Sequence, residues 1–334
     1  MNTMEKTGTV SPLAQALVGW RRFKERGVLM VLVGLCAIFS FATPNFLQFT
    51  NMINIMRQIS EICISAIGMT YVIICAEIDL SVGSIYGLSA MFAALILRSN
   101  LFAGLTPLLA LLGALTAGGL VGLFNGLVTT KLRVPAFIVT LSMLSIGRGA
   151  LYGLSGGYAI SIFPKTAEPF FYMGNSIGGV FPRQIILMIA VAIIAGVALA
   201  KSTFGFQIYA TGGNKKAADL TGINTDRIKI TAFLFCGFMA ALSGIISLSY
   251  LQSVHPSAGN GREMDVVAAV ILGGTYLYGG RGTILGTFIG AAIIGVVRNG
   301  MVLMSVPAYS QEALIGGVIL LAVVADIWLR REKA

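Results

Sequence analysis

The sequence predicts an all-α, polytopic membrane protein with about ten transmembrane helices and with both termini in the cytoplasm. Hydrophobic residues make up 56% of the 334-residue chain and charged residues only 11%, whereas an ordinary soluble domain has roughly 25% charged residues. Apolar runs recur along the chain, and a helix needs roughly 20 such residues to cross a bilayer. Most of the 23 Lys and Arg residues fall in alternate connections between these runs, as they should in cytoplasmic loops.

The first predicted span follows a polar segment, 1–26, whose basic end is typical of a cytoplasmic start. Residues 44–60 then mix apolar and polar side chains, and we expect them to form a short amphipathic or interfacial connection. The transmembrane domain covers 27–330, and 331–334 is a cytoplasmic tail. Several of the ten predicted spans are short, so they must include flanking polar residues or be broken. The spans are 28–42, 62–75, 82–97, 105–128, 137–154, 185–200, 230–251, 266–278, 284–297 and 313–329.

Composition and motifs exclude several other classes. The net charge is +10, but the basic residues are scattered over short loops, so no nucleic-acid binding is predicted. The four cysteines lie in apolar runs without a CxxC pair, and His255 is the single histidine, so no metal site is expected. The sequence has no GxxxxGK[ST] motif for ATP. It also offers no nucleophile and base pair for an intramembrane enzyme.

The stretch 68–94 places two carboxylates between short apolar runs. An ionised carboxylate at the centre of a bilayer costs roughly 2.5–3.5 kcal/mol, so both lie either at a cytoplasmic turn or along a polar cavity. In the first interpretation, Asp79 or Ser81 caps the following helix. In the second, a broken helix presents Glu77, Asp79, Ser81 and Ser84 to a translocation pathway. We expect Asp79 to be the cap and Glu77 to lie nearer the cytoplasmic water.

Two sets of glycines recur at every fourth position, which puts each set on one helix face where small residues allow close packing. Small residues at similar spacing in 81–94 and 282–292 also predict an inverted repeat of spans 2–5 and 7–10. The glycines are Gly118, Gly122 and Gly126 in the fourth predicted span and Gly282, Gly286 and Gly290 at the start of the ninth.

Two connections are long. The periplasmic loop 156–184 carries aromatic residues, which suit a flexible loop, docking of a partner or packing over the bundle mouth. The cytoplasmic loop 201–229 contains a predicted glycine turn followed by a short helix, KKAADL, an exposed shape suited to contact with another subunit. The residues predicted to couple the chain to that subunit are Gly212, Gly213, Asn214, Lys215, Lys216, Ala217, Ala218, Asp219, Leu220 and Gly222.

Four motifs in sequence order resemble the permease subunits of bacterial ribose- and xylose-type ATP-binding cassette importers. Together they span nearly the whole chain, which makes the resemblance specific. They are GMTYVIICAEIDLSVGS at 68–84, FGFQIYATGGNKKAADLTGIN at 204–224, PSAGNGREMDVVAAVILGGTYLYGGRGTILGT at 256–287 and ILLAVVADIW at 319–328.

The resemblance implies a pore-forming subunit in the bacterial inner membrane, which pairs with a second permease subunit in a homo- or heterodimer. It implies ATPase subunits on the cytoplasmic face that hold ATP and Mg, so that this chain binds no cofactor itself. A periplasmic binding protein would deliver a small, pentose-like sugar. The coupling segment would be 210–224, where Lys215 replaces the acidic residue usual in the family and Lys216 adds a second positive charge.

A proton-coupled secondary transporter is the alternative, because Glu77 and Asp79 could form its titrating pair. We favour the ATP-driven permease because the inner loop is long and structured and the chain has no ATP motif of its own. The small and apolar residues of the spans also offer few convergent hydrogen-bond donors for a sugar. We therefore expect little of the sugar selectivity to lie in this chain.

Overall fold

The computed structural model describes residues 25–99, 104–163 and 167–331, and this part of the chain is mostly helical. Seven of the described helices are long and apolar enough to cross a membrane, in agreement with the predicted helical membrane class. The helices are α1 (Arg26–Ala42), α2 (Phe49–Ile74), α3 (Val82–Ser99), α4 (Thr106–Lys131), α5 (Ala136–Ser155), α6 (Glu168–Phe171), α7 (Arg183–Lys201), α8 (Thr203–Gly213), α9 (Lys215–Leu220), α10 (Thr225–Leu251), α11 (Arg262–Leu272), α12 (Ile284–Leu303) and α13 (Ala308–Arg331). The strands are β1 (Ile160–Ser161), β2 (Ser176–Ile177), β3 (Phe181–Pro182) and β4 (Ser253–Val254).

Helices α2 and α10 form the centre of the bundle. They pack against each other, α10 also contacts α3 and α4, and α2 also contacts α11 and α12. Around this pair, α3 packs on α4 and α5, while α11 packs on α12 and α13. The largest buried cluster draws on α2, α3, α10, α11 and α12, so the core runs through the middle of the bundle.

The two ends of the bundle carry different connections. At one end, which we call the strand end, β1 pairs with β4 and β2 pairs with β3, both antiparallel. The side chains of Phe170 and Phe171 are buried there, so the described part of 156–184 packs over the bundle. At the opposite end, the short helices α8 and α9 join α7 to α10. We call this the α9 end.

Helix α2 begins at Phe49, so the prediction that 44–60 is a connection was wrong from residue 49 onwards, where the chain is amphipathic but already part of a long helix. Ile55, Ile59 and Ile62 recur at helical spacing and are buried in the core. Polar residues between them occupy another face of the same helix. The mixture of polar and apolar residues therefore marks the first turns of a membrane helix with one polar face.

Among the irregular segments between helices, 75–81 after α2 and 273–283 after α11 are the two that matter for the site. The second breaks the predicted span 266–278, because α11 ends at Leu272. Both segments lie at the α9 end, where the Gly280 amide donates a 2.8 Å hydrogen bond to the Ile74 carbonyl. Backbone groups inside a membrane protein need internal partners, and this bond supplies one between the two irregular segments.

The predicted glycine sets lie where helices approach most closely. A side chain at Gly118 would meet Ala241, while one at Gly122 would meet the Phe233 carbonyl and one at Gly126 would meet Ile230, all on α10. The second set faces α11 and the segment that follows it. Added Cβ atoms at Gly282, Gly286 and Gly290 would meet Thr275, Gly273 and Ala269, respectively.

We predict that Gly122→Ala destabilises the protein, because its Cβ would collide with the backbone carbonyl of Phe233 on α10. Overpacking of this kind costs about 1–3 kcal/mol. The measurements are the protein level in the membrane and the thermal unfolding temperature in detergent. Gly149→Ala on α5 is the matched control, since nothing lies within 4 Å of the added atom. Equal stability of the two variants would contradict the packing role.

Candidate functional site

The segment 75–81 holds a buried group of hydrogen-bonded side chains. Asp79 Oδ1 accepts hydrogen bonds from the Ser81 amide at 2.9 Å and from Ser81 Oγ at 2.5 Å. Asn125 Nδ2 on α4 donates to Ser81 Oγ at 2.9 Å, and Ser84 Oγ donates to the Ser81 carbonyl at 2.9 Å. Asp79 thus accepts hydrogen bonds from the residue that directly precedes α3, in the local pattern of an Asx turn.

Glu77 lies apart from this group. Its carboxylate forms an ion pair with Lys229 Nζ on α10 at 2.5 Å. It also borders a cavity of about 670 Å³ at the α9 end, together with Lys215 and Asp226. Glu77 is partly exposed, whereas Asp79 is fully buried. The structure therefore gives the two predicted pathway carboxylates different surroundings.

The short helix α9 occupies the residues that the sequence predicts, KKAADL. Asn214 caps it by accepting a hydrogen bond from the Ala217 amide at 3.1 Å, and Gly222 with φ +88° follows its end. The predicted glycine turn is shorter than expected, because Gly212 and Gly213 belong to the last turn of α8. On α9, Ala218 is buried, and Leu220 is 89% exposed.

Gly212 joins α8 to the two irregular segments. A Cβ at this position would overlap the Ile74 carbonyl and lie 2.8 Å from the Gly280 amide. In contrast, nothing lies within 4 Å of a Cβ built at Gly213. Helix α8, which leads into α9, therefore packs directly against Ile74 and Gly280, where the two irregular segments meet. Only a glycine at 212 permits this contact. We call this contact the glycine junction.

The charge of Lys215 is compensated within the chain. Its Nζ lies 3.4 Å from Asp226 Oδ1, and Lys131 Nζ lies 3.6 Å from Asp226 Oδ2. Exposed ion pairs like these contribute about 0–1 kcal/mol. Lys216 forms no ion pair with the residues that the structure describes, so its charge faces outwards from α9.

A second polar cavity, of about 670 Å³, opens at the strand end. We call it the strand-end cavity. It lies between α2, the connection 252–261, α11 and α12, and sequence reasoning missed it. The signal was present in α2, where polar residues recur every three or four positions. These residues are Asn51, Asn54, Gln58 and Glu61.

Two ion pairs line the strand-end cavity. Arg262 Nη2 lies 2.5 Å from Glu61 Oε2, and it also donates to the Tyr86 hydroxyl at 2.9 Å. Arg298 Nη2 lies 2.7 Å from Asp265 Oδ1. These pairs hold α2, α11 and α12 together at a place where unpaired buried charges would be very costly.

Two further contacts shape the walls of the strand-end cavity. The side-chain amides of Asn51 and Asn299 donate to each other's carbonyl oxygens at 2.9 Å. On the opposite side, the Arg148 guanidinium of α5 donates to the carbonyls of Ala258 and Gly259. The connection 252–261 is thereby fixed to α5, and the cavity has a defined rim.

The bundle has two irregular segments that meet at one end, a polar cavity at each end and an exposed short helix. These features are typical of a multi-pass membrane transport protein. The chain belongs to the family described as branched-chain amino acid transport system / permease component, whose model matches residues 51–323. It is therefore a transport component of the cytoplasmic membrane rather than an enzyme. The sequence-based resemblance to import permeases is confirmed.

Three relatives illustrate the similarity. The chain is 41% identical to the ribose import permease protein RbsC of Escherichia coli K12, over 96% of this chain and 98% of that one. It is 38% identical to RbsC of Bacillus subtilis 168, over 91% and 92% of the two chains. It is 34% identical to the L-arabinose ABC transporter permease protein AraH of Azospirillum brasilense, over 94% and 91%.

A solved structure of a metal-chelate type ABC transporter in an inward-facing conformation supports the fold. It aligns with 90% of this chain and 99% of its own, with a TM-score of 0.51 and 14% sequence identity. At this identity the likeness shows a shared fold alone. The alignment covers almost the whole of both chains, so the two chains share their helical arrangement.

We predict that substitutions at Asp79 and Glu77 have different effects. Asp79→Asn keeps an acceptor oxygen for Ser81 and should retain transport, whereas Asp79→Ala should cost about 1 kcal/mol, the usual size for a lost cap. Glu77→Gln weakens the pair with Lys229 without affecting the start of α3. Uptake normalised to membrane level, together with the unfolding temperature, distinguishes these outcomes. Equal loss of uptake in Glu77→Gln and Asp79→Asn would contradict the capping role.

Proposed function

We propose that this chain is the membrane-spanning subunit of an ATP-driven importer for a monosaccharide of pentose-like size. The single observation that carries the proposal is the exposed helix α9, which is joined through the glycine junction to both irregular segments, 75–81 and 273–283. An external ATPase needs such a surface in order to act on the transmembrane part. The alternative of a proton-coupled transporter gives no role to α9, and the named relatives do not support it.

We propose that the chain crosses the membrane ten times, with the α9 end in the cytoplasm. The ten crossings would be α1 to α5, α7, α10, α11 with its following segment, α12 and α13. Exposed basic residues near α9 fit the excess of positive charge on the cytoplasmic side. They include Lys131, Arg133, Lys201, Lys216 and Arg227.

The helix contacts support an inverted repeat of α2–α5 and α10–α13. In the first unit, α3 packs on α4 and α5, and in the second α11 packs on α12 and α13. Across the units, α10 packs on α3 and α4, while α2 packs on α11 and α12. These contacts within and between the two units have counterparts related by the repeat, which is the pattern of many transporters built from inverted repeats.

The proposed partners follow from the same arrangement. ATPase subunits that carry ATP and Mg would bind at α9, with the exposed Leu220 as an apolar contact. A periplasmic sugar-binding protein would dock at the strand end, and a second permease subunit would complete the pathway. The sugar is proposed from the named relatives, because the family description refers to amino acids while the relatives at 34–41% identity act on ribose and L-arabinose.

We expect uptake of sugar into sealed vesicles to require a co-expressed ATPase subunit, a loaded binding protein and internal or accessible ATP. Radiolabelled ribose and L-arabinose are the probes, since the relatives transport these sugars. A proton gradient without ATP should give no uptake. Uptake that follows the proton gradient and ignores the ATPase would overturn the proposal in favour of the secondary transporter.

We predict that Gly212→Ala strongly reduces uptake, because its Cβ cannot fit against the Ile74 carbonyl without displacing the glycine junction. Gly213→Ala is the matched control on the next residue, where the added atom meets nothing within 4 Å. Uptake and ATP hydrolysis are measured on the same reconstituted complexes, after equal membrane level and unfolding temperature are checked. Wild-type uptake by Gly212→Ala would show that the junction carries no coupling.

A further inference from the structure

We propose that the strand-end cavity is a transient binding site for a neutral monosaccharide, which is held by the side-chain amides of Asn54, Gln58 and Asn260. This inference rests on the proposed function and adds to it a site and a ligand chemistry. It agrees with the expectation that little of the sugar selectivity lies in this chain, although donors that appear dispersed in the sequence converge in the fold.

Most of the charges around the cavity are paired within the protein. Both carboxylates are engaged by arginines, Glu61 with Arg262 and Asp265 with Arg298. A cation would have to displace one of these guanidinium groups. An anion would find the same two guanidinium groups already paired, so these two groups would bind it only weakly.

Arg57 adds a further positive charge at the rim, but neighbours hold it in place. It donates to the Tyr250 hydroxyl at 3.2 Å and to Ser176 Oγ at 2.9 Å. Its guanidinium also lies over the Tyr250 ring, 4.6 Å from the centroid. These contacts tie α2 to α10 and to β2, so Arg57 supports the wall of the cavity.

Three amides remain available to a ligand. The side chains of Asn54, Gln58 and Asn260 border the cavity and make no hydrogen bond with other residues that the structure describes. Asn54 and Gln58 are four positions apart on one face of α2, and Asn260 lies across the cavity in the connection 252–261. Each amide offers two donors and an acceptor, which matches sugar hydroxyls because they also donate and accept.

The size and the expected strength of the site suit a passing sugar. The volume of about 670 Å³ lies within the roughly 300–1,000 Å³ usual for small-molecule sites. Each hydrogen bond exchanged with water contributes only modestly to binding. Three amides therefore give weak binding, of the order of millimolar dissociation constants. Weak binding allows release towards the α9 end.

The test uses the complete importer in proteoliposomes, with its ATPase and its sugar-loaded binding protein. The probe is whichever of ribose and L-arabinose the wild-type importer takes up. We expect the double variant Asn54→Leu/Gln58→Leu to lower the initial uptake rate about ten-fold. Stimulation of ATP hydrolysis by the loaded binding protein should stay within about two-fold of wild type. The number of sugar molecules transported per ATP hydrolysed should therefore fall.

Gln48→Leu is the matched control, because Gln48 precedes α2, bonds to Asn45 and does not line the cavity. Asn260→Ser is the second test variant. It changes an exposed side chain in a connection, so it should fold even if the double variant does not, and it should lower uptake per ATP.

The possible failures are distinguishable. Wild-type sugar uptake by both cavity variants would overturn the cavity site and leave the proposed function intact. Parallel loss of uptake and of stimulated ATP hydrolysis would also overturn it, since the amides would then act in docking of the binding protein. Absence of ATP-driven uptake by the wild type itself would instead refute the proposed function.

Discussion

The structure depends on the pairing of backbone groups where two irregular segments meet at the ends of helices. A helix end that is buried in the protein leaves carbonyl groups that water cannot reach, so other protein groups must satisfy them. Here the Ile74 carbonyl at the end of α2 accepts the Gly280 amide of the other irregular segment. This hydrogen bond joins the two irregular segments, and both segments lie at the α9 end of the bundle.

This constraint explains why glycine is so frequent at contacts between elements. Gly212 lets α8 lie on the paired breaks, and the ladder of Gly118, Gly122 and Gly126 lets α4 approach α10. In lipid, association depends on close packing rather than on the removal of apolar surface from water. The glycines at these contacts are therefore part of what holds the bundle together.

Local signals in the sequence predicted much of the fold and of the α9 region. Asn214 before a run of good helix formers, and Gly222 after it, locate α9 because capping depends on neighbouring residues only. The strand-end cavity could not be found in that way. Its residues Arg57 and Glu61 resemble surface residues until their distant contacts are known, and so they favoured a connection outside the membrane. Local pattern identifies the helices, while the sites between helices depend on pairings across the chain.

The polar face of α2 also bears on how the protein is assembled. Glu61 pairs with Arg262, 201 positions later, and Asn51 pairs with Asn299, 248 positions later. During synthesis, α2 leaves the ribosome long before either partner exists. Its first half must therefore wait in a watery or interfacial setting, or beside the insertion machinery, until α11 and α12 arrive. The polar pairs of this helix thus form only after nearly the whole chain has been translated.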